Sequence, residues 1–521
     1  MILPPKFCLM KILKLIYFLF IISHISGQNY LNKAIPSFEN NADGILCQAM
    51  SDSTNGIVTF VHSYVYTKNK YINRFCRLGR LGEVLNLRNN LDSINPELIM
   101  NFKKISSGYL TSGYQFKATD TTNHFWYAKL NDQFDTMWTR GFKKKNNNSS
   151  FNNIIELRNK NIGLTGTDMQ VRPNGTSLAT LPCIAIADSL GNLIHYTEVK
   201  GADSLRNGVL FGITEGPDSS VYAAGYIVKL DALLDQDPVI AKVNSQGELQ
   251  WRRQITNKGF NEIFLSVFTQ IDGSVLGVGG SYNDYDARKE FSYVLLINFD
   301  TSGNINWTRR IFKGLFNDCY NAVQDKYGNI IGTGLYNRYR GFYADTSQGH
   351  GWIFKCNSTG DSIWSRKIIH ANDSFPERFN NISQAPDGGF YLTGYSFLPG
   401  DYSSKAWIVK TDSFGCVVPG CEKVVASEDI QNGKEKAFVF FPNPVVYNKF
   451  FFLSRIGTGE SYRLRLYNLQ GACILTYPFR TFEGAQYEVD LKNEVGAGYY
   501  VVQIQDENGR IVCGEKTEVV R

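Results

Sequence analysis

Tyrosine and arginine side chains that could recognise a ligand are concentrated in two polar segments of the chain. One segment spans residues 336–343 and the other spans residues 282–288. Their candidate binding residues are Tyr336, Arg338, Tyr339, Arg340, Phe342 and Tyr343, together with Tyr282, Tyr285 and Arg288. Tyr and Arg are favoured at binding surfaces because they combine a large contact area with hydrogen-bonding groups. We expect these segments to bind a protein or a polysaccharide; the alternative is ordinary loop variability.

Residue patterns typical of catalysis or of metal binding are absent from the sequence. It has no HExxH pair, no GxSxG turn and no Walker-type loop. The acidic stretches 231–237 and 283–286 lack the Gly and the terminal Glu of a calcium-binding loop. We therefore expect no cofactor and no metal, and we favour a non-catalytic protein over an enzyme. A polysaccharide hydrolase or lyase is the alternative, since carboxylates about 5–9 Å apart in one cavity leave no sequence signature.

A repeat of about 55 residues must position these segments. Its central turn recurs at intervals of 52 to 57 residues, at Gly82, Phe134, Gly191, Gly247, Gly303, Gly360 and Gly415. Each repeat contains four apolar strands, A to D, and strand D opens with Trp at Trp138, Trp251, Trp307 and Trp364. Four antiparallel strands cannot bury both of their faces alone, whereas radially stacked copies bury one another. We predict an all-β fold, a seven-bladed β-propeller over residues 28–421.

The order of the strands decides where the candidate residues lie. In an antiparallel meander, the segments that join strands B and C share one face of the disc with the connections between blades. We call it the loop face, because it carries segments 282–288 and 336–343, and we call the opposite side, with the A–B and C–D turns, the turn face. The seventh repeat lacks a strand D, and residues 30–35 resemble one. We expect this N-terminal strand to close the ring, which removes exposed sheet edges.

The N-terminus predicts export. A basic start precedes the apolar run 15–22 and the small residues Ser26 and Gly27, so residues 1–27 are predicted to be a signal peptide, with Met1 or Met10 as the start. No later run has the 18 apolar residues of a membrane span, so none is expected in the mature chain. The formal net charge of +6 includes three leader lysines, which leaves about +3 and argues against nucleic acid as a partner.

A second module follows the repeats. Residues 422–437 are polar and are predicted to be a linker, and residues 438–521 alternate polar and apolar residues between hairpin turns. This pattern predicts a small immunoglobulin-like β-sandwich. Cys416 and Cys421 flank a short turn and are disulfide candidates, and Cys473 could pair with Cys513 if their strands are neighbours.

The C-terminal module resembles the type A sorting domain carried by cargo of the type IX secretion system of Bacteroidetes. The landmarks that carry the resemblance are Pro442, Asn443, Pro444, Gly471, Gly498 and Tyr499. The resemblance implies export through the periplasm and recognition of this domain by the secretion machinery. It also implies that the cargo is secreted or held at the outer-membrane surface, in some cases on lipopolysaccharide. The repeats are similar to propeller repeats of such cargo and, more weakly, to those of quinoprotein dehydrogenases, which makes a quinone-dependent enzyme a third hypothesis.

Overall fold

The computed structural model divides into two compact units, Met1–Val417 and Val418–Arg521. Every regular element in the described residues is a β-strand. None of these residues forms a helix with the length and apolarity that crossing a membrane requires. The structure describes residues 31–35, 42–51, 56–65, 70–79, 83–89, 97–116, 123–143, 148–171, 178–200, 208–228, 236–257, 259–283, 292–314, 316–337, 349–370, 377–397, 404–417, 437–446, 449–454, 459–468, 472–482, 485–491, 495–496, 498–507 and 509–519.

The described strands of the first unit form seven four-stranded antiparallel sheets, which we number in chain order. The chain opens with β1 (Leu31–Ile35), which belongs to sheet 7. Sheet 1 contains β2 (Ala42–Ser51), β3 (Ile57–Val65), β4 (Lys70–Leu78) and β5 (Val84–Asn89). Sheet 2 contains β6 (Glu97–Ile105), β7 (Gly108–Phe116), β8 (Asn123–Leu130) and β9 (Thr136–Phe142). Sheet 3 contains β10 (Asn148–Glu156), β11 (Ile162–Val171), β12 (Leu178–Ala187) and β13 (Leu193–Glu198).

The remaining four sheets follow the same order of strands. Sheet 4 contains β14 (Gly208–Glu215), β15 (Val221–Val228), β16 (Gln236–Val243) and β17 (Leu249–Gln254). Sheet 5 contains β18 (Phe260–Thr269), β19 (Val275–Asn283), β20 (Ser292–Phe299) and β21 (Ile305–Gly314). Sheet 6 contains β22 (Phe316–Gln324), β23 (Ile330–Asn337), β24 (Gly349–Cys356) and β25 (Ser362–Ile368). Sheet 7 contains β26 (Arg378–Gln384), β27 (Phe390–Phe397), β28 (Ser404–Thr411) and β1.

These sheets pack in a closed ring. The first strand of each sheet, β2 to β22, contacts the first strand of the next sheet, and β26 of sheet 7 contacts β2 of sheet 1. Apolar cores fill the spaces between sheets; one of them joins Val58 of sheet 1 to Ile99 of sheet 2. Antiparallel sheets stacked about an axis in this way form a β-propeller. The prediction of an all-β propeller is confirmed.

Strand β1 takes the outer position of sheet 7, which strand D holds in the other sheets. It pairs with β28 from Leu31 opposite Lys410 to Ile35 opposite Ala406. The Leu31 side chain is buried, and Trp407 donates a hydrogen bond of 2.7 Å from Nε1 to Asn32 Oδ1. The N-terminal segment therefore completes the sheet that closes the ring.

Every inner strand carries a register shift near its loop-face end, between residues such as Ile99 and Asn101 or Cys319 and Asn321. In sheets 2 to 7, the residue of strand B opposite this β-bulge is a glycine, at Gly113, Gly166, Gly225, Gly279, Gly334 and Gly394. A Cβ at these positions would lie 1.8 to 2.0 Å from a carbonyl oxygen of the inner strand. The bulge therefore explains why strand B of these repeats carries a glycine.

The repeated Trp side chains join neighbouring sheets. Trp364 packs so tightly on Gly415, in the C–D turn of the next sheet, that a Cβ there would lie 2.6 Å from its ring. Arg366 lies over the same ring at 5.4 Å and donates a hydrogen bond of 2.6 Å from Nε to Phe414 O. Trp138 with Arg140 and Trp307 with Arg309 repeat the contact. The predicted role of the Trp residues, filling the gap between blades, agrees with this packing.

The second unit is built from seven described strands. They are β29 (Phe438–Val446), β30 (Lys449–Ser454), β31 (Ser461–Asn468), β32 (Cys473–Arg480), β33 (Gln486–Asp490), β34 (Gly498–Gln505) and β35 (Ile511–Val519). Their order is β32-β31-β34-β35-β29-β30-β33. Strand β29 pairs with β30 up to Phe441 and again at Val446, and its Val445 pairs in parallel with Val519 of β35. The core of the second unit includes Phe452, Leu464 and Ile504.

The strand order corrects one predicted disulfide. Cys473 lies in β32 and is a free, exposed thiol, so it does not pair with Cys513 of β35. Strands β31 and β34 lie between them, and at about 4.8 Å per strand this separation exceeds the reach of a disulfide. Cys416 is disulfide-bonded. Its predicted partner, Cys421, lies outside the described residues, so that pairing stays a prediction.

Candidate ligand-binding site on the loop face

Two of the nine predicted binding residues lie in the described part of the chain. Tyr282 is next to the end of β19 and Tyr336 is next to the end of β23, both at the loop face. The ring of Tyr336 packs on Trp352 at 5.6 Å, and Lys367 Nζ lies 4.1 Å from its centre. The other seven predicted residues lie outside the described residues: Tyr285, Arg288, Arg338, Tyr339, Arg340, Phe342 and Tyr343.

Charged residues replace apolar ones beside the inner-strand bulges of sheets 6 and 7. At the two positions that flank the first bulge residue, sheets 2, 4 and 5 carry Leu98 and Met100, Val209 and Phe211, and Ile263 and Leu265. Sheet 3 carries Ser150 and Asn152. Sheet 6 carries Asp318 and Tyr320, and sheet 7 carries Arg378 and Asn380. Sheet 1, which adjoins sheet 7, carries Asp43 and Ile45. Charge therefore breaks the repeat at three consecutive sheets of the ring, 6, 7 and 1.

In sheets 6 and 7, side chains at this break contact residues of neighbouring strands. We call Tyr282, Asp318, Tyr320, Arg378, Asn380 and Tyr395 the Asp318 cluster. Strands β22 and β26 start at the loop face, because each follows a connection between sheets, and β19 and β27 end there. The cluster thus lies at the face where β19 and β23 end, the strands that precede the other predicted binding residues in the chain.

The Asp318 side chain lies in a narrow space between Tyr282 and Gly280. Its side chain is nearly buried, and the Tyr282 hydroxyl donates a short hydrogen bond to Oδ1. Gly280 leaves the necessary space, since a Cβ there would lie 2.2 Å from Asp318 Oδ1. Burial raises the pKa of Asp318 from 3.8 to about 6, against the opposing effects of the Tyr282 hydrogen bond and the Arg378 charge. The group can therefore exchange a proton in weakly acidic solution.

Arg378 lies between two tyrosine rings. Its guanidinium carbon is 4.8 Å from the centre of the Tyr320 ring and 5.0 Å from that of Tyr395. Nη1 donates a hydrogen bond of 2.9 Å to the Tyr320 hydroxyl. The buried Nε has no hydrogen-bond partner among the described residues. Burial also raises the pKa of Tyr320, so this hydroxyl stays protonated. The result is a fixed cation with part of its donor capacity unused.

Asn380 adds an amide to the same strand, two residues beyond Arg378. Its Oδ1 and its Nδ2 are both buried, and neither has a hydrogen-bond partner in the described structure. Buried polar atoms in native proteins are nearly always paired, with protein or with ordered water. An enclosed amide that no described residue hydrogen-bonds, two residues from Arg378 on the same strand, is therefore suited to a polar ligand.

Buried contacts of Glu377 hold the start of β26 rigidly. The Glu377 side chain is fully buried and accepts hydrogen bonds of 2.6 Å from Ser396 Oγ and 2.9 Å from the backbone nitrogen of His370. The Glu377 backbone nitrogen donates to Gly349 O at 2.8 Å. Burial lowers the pKa of His370, whose ring packs on Trp407. These contacts fix the backbone beside Arg378 and so position the guanidinium.

The cluster combines hydrogen-bonding groups with aromatic rings. Within the described residues, no group of three or more His, Cys, Asp or Glu side chains is placed to hold a metal ion. The Asp318 cluster offers three tyrosines, a guanidinium, an amide and one carboxyl with a raised pKa. Sequence analysis missed Asp318, Arg378 and Asn380. The available signal was the alignment of the inner strands, in which these positions depart from the apolar residues of sheets 2, 4 and 5.

The sorting landmarks occupy the second unit. Pro442, Asn443 and Pro444 lie in β29 at the irregular stretch where its pairing with β30 is interrupted. Proline has no backbone N–H to give to a sheet, so it is tolerated where pairing is interrupted. Gly498 and Tyr499 begin β34. Gly471 lies outside the described residues.

Comparison with known proteins gives one sequence match and several structural ones. Residues 439–516 match the family described as the secretion system C-terminal sorting domain. No curated protein sequence matches the chain. Several solved structures have a similar fold. One is the Penicillium chrysogenum alpha-L-arabinanase complexed with arabinobiose, which is 10% identical with a TM-score of 0.41. The match covers 74% of this chain and 97% of that one.

Two further structures show the same level of similarity. The β-propeller domain of the Trilobed protease from Pyrococcus furiosus is 10% identical, with a TM-score of 0.40 and coverage of 75% of this chain and 99% of that one. The polysaccharide lyase Uly1 is 11% identical, with a TM-score of 0.35 and coverage of 74% and 90%. The sequence match at the C-terminus gives the assignment: this chain carries a secretion-system C-terminal sorting domain and is a type IX secretion cargo protein with a β-propeller.

Proposed function

We propose that this protein is an exported seven-bladed β-propeller that binds a polysaccharide at its loop face, without cleaving it. The seven described sheets are its blades, and the Asp318 cluster is the centre of its binding site. The observation that carries the proposal is the break of the repeat at sheets 6 and 7. Charged and amide side chains stand there at positions that sheets 2, 4 and 5 fill with apolar residues, and two of them have buried atoms that no described residue hydrogen-bonds.

The loop segments extend this site. Tyr339 and Tyr343 belong to the segment that follows β23, the strand paired with the Asp318 strand β22. Tyrosine rings offer flat apolar faces with a hydroxyl at the edge, which suits the mixed apolar and polar faces of a sugar ring. We infer that these tyrosines and the Asp318 cluster contact the same ligand.

Export uses both ends of the chain. We infer that residues 1–27 direct the chain to the periplasm of a member of the Bacteroidetes and are removed. The C-terminal unit is then an immunoglobulin-like sandwich that the type IX machinery recognises. The match at residues 439–516 supports this second step. The propeller is delivered to the medium or to the cell surface, where lipopolysaccharide is a candidate anchor.

A glycan array tests the binding function. We expect the wild-type propeller to bind a polysaccharide. The Tyr339→Ala/Tyr343→Ala variant and the Arg378→Gln variant should each lose at least tenfold in affinity, because each removes contacts at the loop face. Tyr327→Ala is the matched control, since Tyr327 is 76% exposed in an A–B turn on the turn face. Equal binding by all four proteins would contradict a loop-face site.

Polysaccharide cleavage is a second candidate function, and one observation favours it. A carboxyl with a pKa near 6 is suited to act as a general acid at neutral pH. Incubation of each array ligand with the wild type and with Asp318→Asn, followed by measurement of new reducing ends, separates the two functions. The binding function predicts no new reducing ends with either protein. Release of reducing ends by the wild type alone would make the protein an enzyme.

A further inference from the structure

The guanidinium of Arg378 lacks a direct anionic partner. No ion pair involves this residue among the described residues, and its Nε has no hydrogen-bond partner. The Arg378 side chain is partly buried, with its Nε enclosed. A charge that is partly removed from water is commonly matched by a counter-charge. Arg378 interacts electrostatically with Asp318, but that carboxyl is already hydrogen-bonded to Tyr282. A carboxylate from a ligand would supply the missing counter-charge.

The neighbours of Arg378 favour a sugar as the carrier of that carboxylate. The guanidinium is packed between the Tyr320 and Tyr395 rings, so the site presents aromatic surface beside the cation. The unpaired amide of Asn380 can donate to one hydroxyl and accept from another. A uronic acid has a carboxylate, several hydroxyls and an apolar ring face on one rigid residue. An acidic peptide offers the carboxylate without the adjacent hydroxyls.

We propose that the Asp318 cluster is a subsite for an acidic polysaccharide, in which Arg378 pairs with a uronate carboxylate and Asn380 hydrogen-bonds a neighbouring hydroxyl. This inference rests on the loop-face function proposed above and names the class of ligand. It assigns two residues that the sequence analysis did not single out.

Binding of such a ligand depends on the charge of Asp318. The titratable and charged groups that interact with its carboxyl are Tyr282 from β19, Cys319 and Tyr320 from its own strand β22, and Arg378 from β26. Tyr395 from β27 lies against Arg378, and burial raises the pKa of the Cys319 thiol, which therefore stays neutral. Burial raises the pKa of Tyr282 and Tyr320, so neither tyrosine changes charge below pH 9. Ionised Asp318 repels a uronate and competes for Arg378. Affinity for the acidic ligand therefore falls as pH rises through about 6.

The test uses oligosaccharides of galacturonate, glucuronate, mannuronate and guluronate, each beside its methyl ester, which is neutral. Isothermal titration of the mature full-length protein at pH 5 should show binding of at least one free acid. Its ester should bind at least tenfold more weakly. Arg378→Gln should lose at least tenfold in affinity for the acid, Arg378→Lys should lose less, and Tyr327→Ala should match the wild type. Equal melting temperatures of the Arg378 variants and the wild type establish that they fold.

The pH series separates the effect of the Asp318 charge on affinity from a pH effect on binding that does not involve Asp318. Between pH 5 and pH 8 the wild-type dissociation constant should rise at least tenfold, and that of Asp318→Asn should stay flat. Equal binding of an acid and its ester would refute the carboxylate subsite while the loop-face function stands. If the protein binds a neutral glycan on the array but no uronate, the carboxylate subsite is likewise refuted and the loop-face function stands. Failure to bind any glycan would refute both, and tighter binding of an oligoglutamate peptide than of every uronate would refute the sugar class.

Discussion

Deletion of residues 28–38 from the mature chain lowers the melting temperature of the propeller by about 5–10 °C, measured by circular dichroism. The deleted segment contains β1, the outer strand of sheet 7. Loss of the buried Leu31 side chain alone costs about 2–5 kcal/mol. The ladder between β1 and β28 is lost as well. For a unit of this size each kcal/mol moves the melting temperature by roughly 2–4 °C or less.

The same deletion exposes the edge of β28, which is buried on both faces. An uncovered edge strand pairs readily with another chain, so the deleted protein should also form oligomers that the wild type does not. Asn32→Ala is the graded control, since it removes the hydrogen bond from Trp407 and a longer one, of 3.4 Å, from Asn32 Nδ2 to Ile369 O, but leaves β1 in place. It should cost about 1 kcal/mol. An unchanged melting temperature after the deletion would mean that β1 does not close the ring.

Replacement of Asp318 by Asn stabilises the propeller at pH 8 by roughly 1–3 kcal/mol, and it removes the charge that opposes binding of an acidic ligand. The pKa of Asp318 is raised by burial to about 6 in the folded protein, against 3.8 for an ordinary Asp. Between pH 3.8 and about pH 6, the folded protein therefore keeps a proton on Asp318 that the unfolded chain has released. The free energy of unfolding of the wild type falls as pH rises through this window and stays lower above it.

Asn has nearly the same shape as Asp, carries no charge and can still accept the Tyr282 hydrogen bond. The gain should be near zero at pH 3.5, where Asp318 is protonated in the folded protein and the cost of its charge is absent. Asp361→Asn is the matched control on the turn face, because hydrogen bonds from Asn357 and Thr359 lower the pKa of Asp361. It should give no gain at pH 8. A loss of stability in Asp318→Asn at pH 8, measured by urea unfolding, would contradict a buried, costly carboxylate.

Much of the propeller could be predicted because its determinants are local and repeated. The C-D turns at Gly303 and Gly360 and the Trp residues that open strand D recur with one period, and each has a packing reason in the structure. The N-terminal strand could be expected because Gly415 is not followed by a strand D. Repetition supplied several independent copies of the same local evidence.

The Asp318 cluster could not be predicted from the repeat in this way. Asp318, Arg378 and Asn380 belong to two sheets and come together only when neighbouring inner strands pack. Their signal is a departure from the repeat at one register position, which shows only when the bulged strands are aligned. The predicted pairing of Cys473 with Cys513 failed for a related reason, since residue spacing does not reveal that two strands lie between β32 and β35.

Hydrogen–deuterium exchange of the wild-type protein, with and without the best array ligand, tests the central claim that the Asp318 cluster is the binding site. The account predicts slower exchange in peptides from β22, β23, β26 and β27 at the loop face, with the C–D turns at residues 300–304 and 357–361 unchanged. Slower exchange confined to those turns, or to the C-terminal unit, would contradict it.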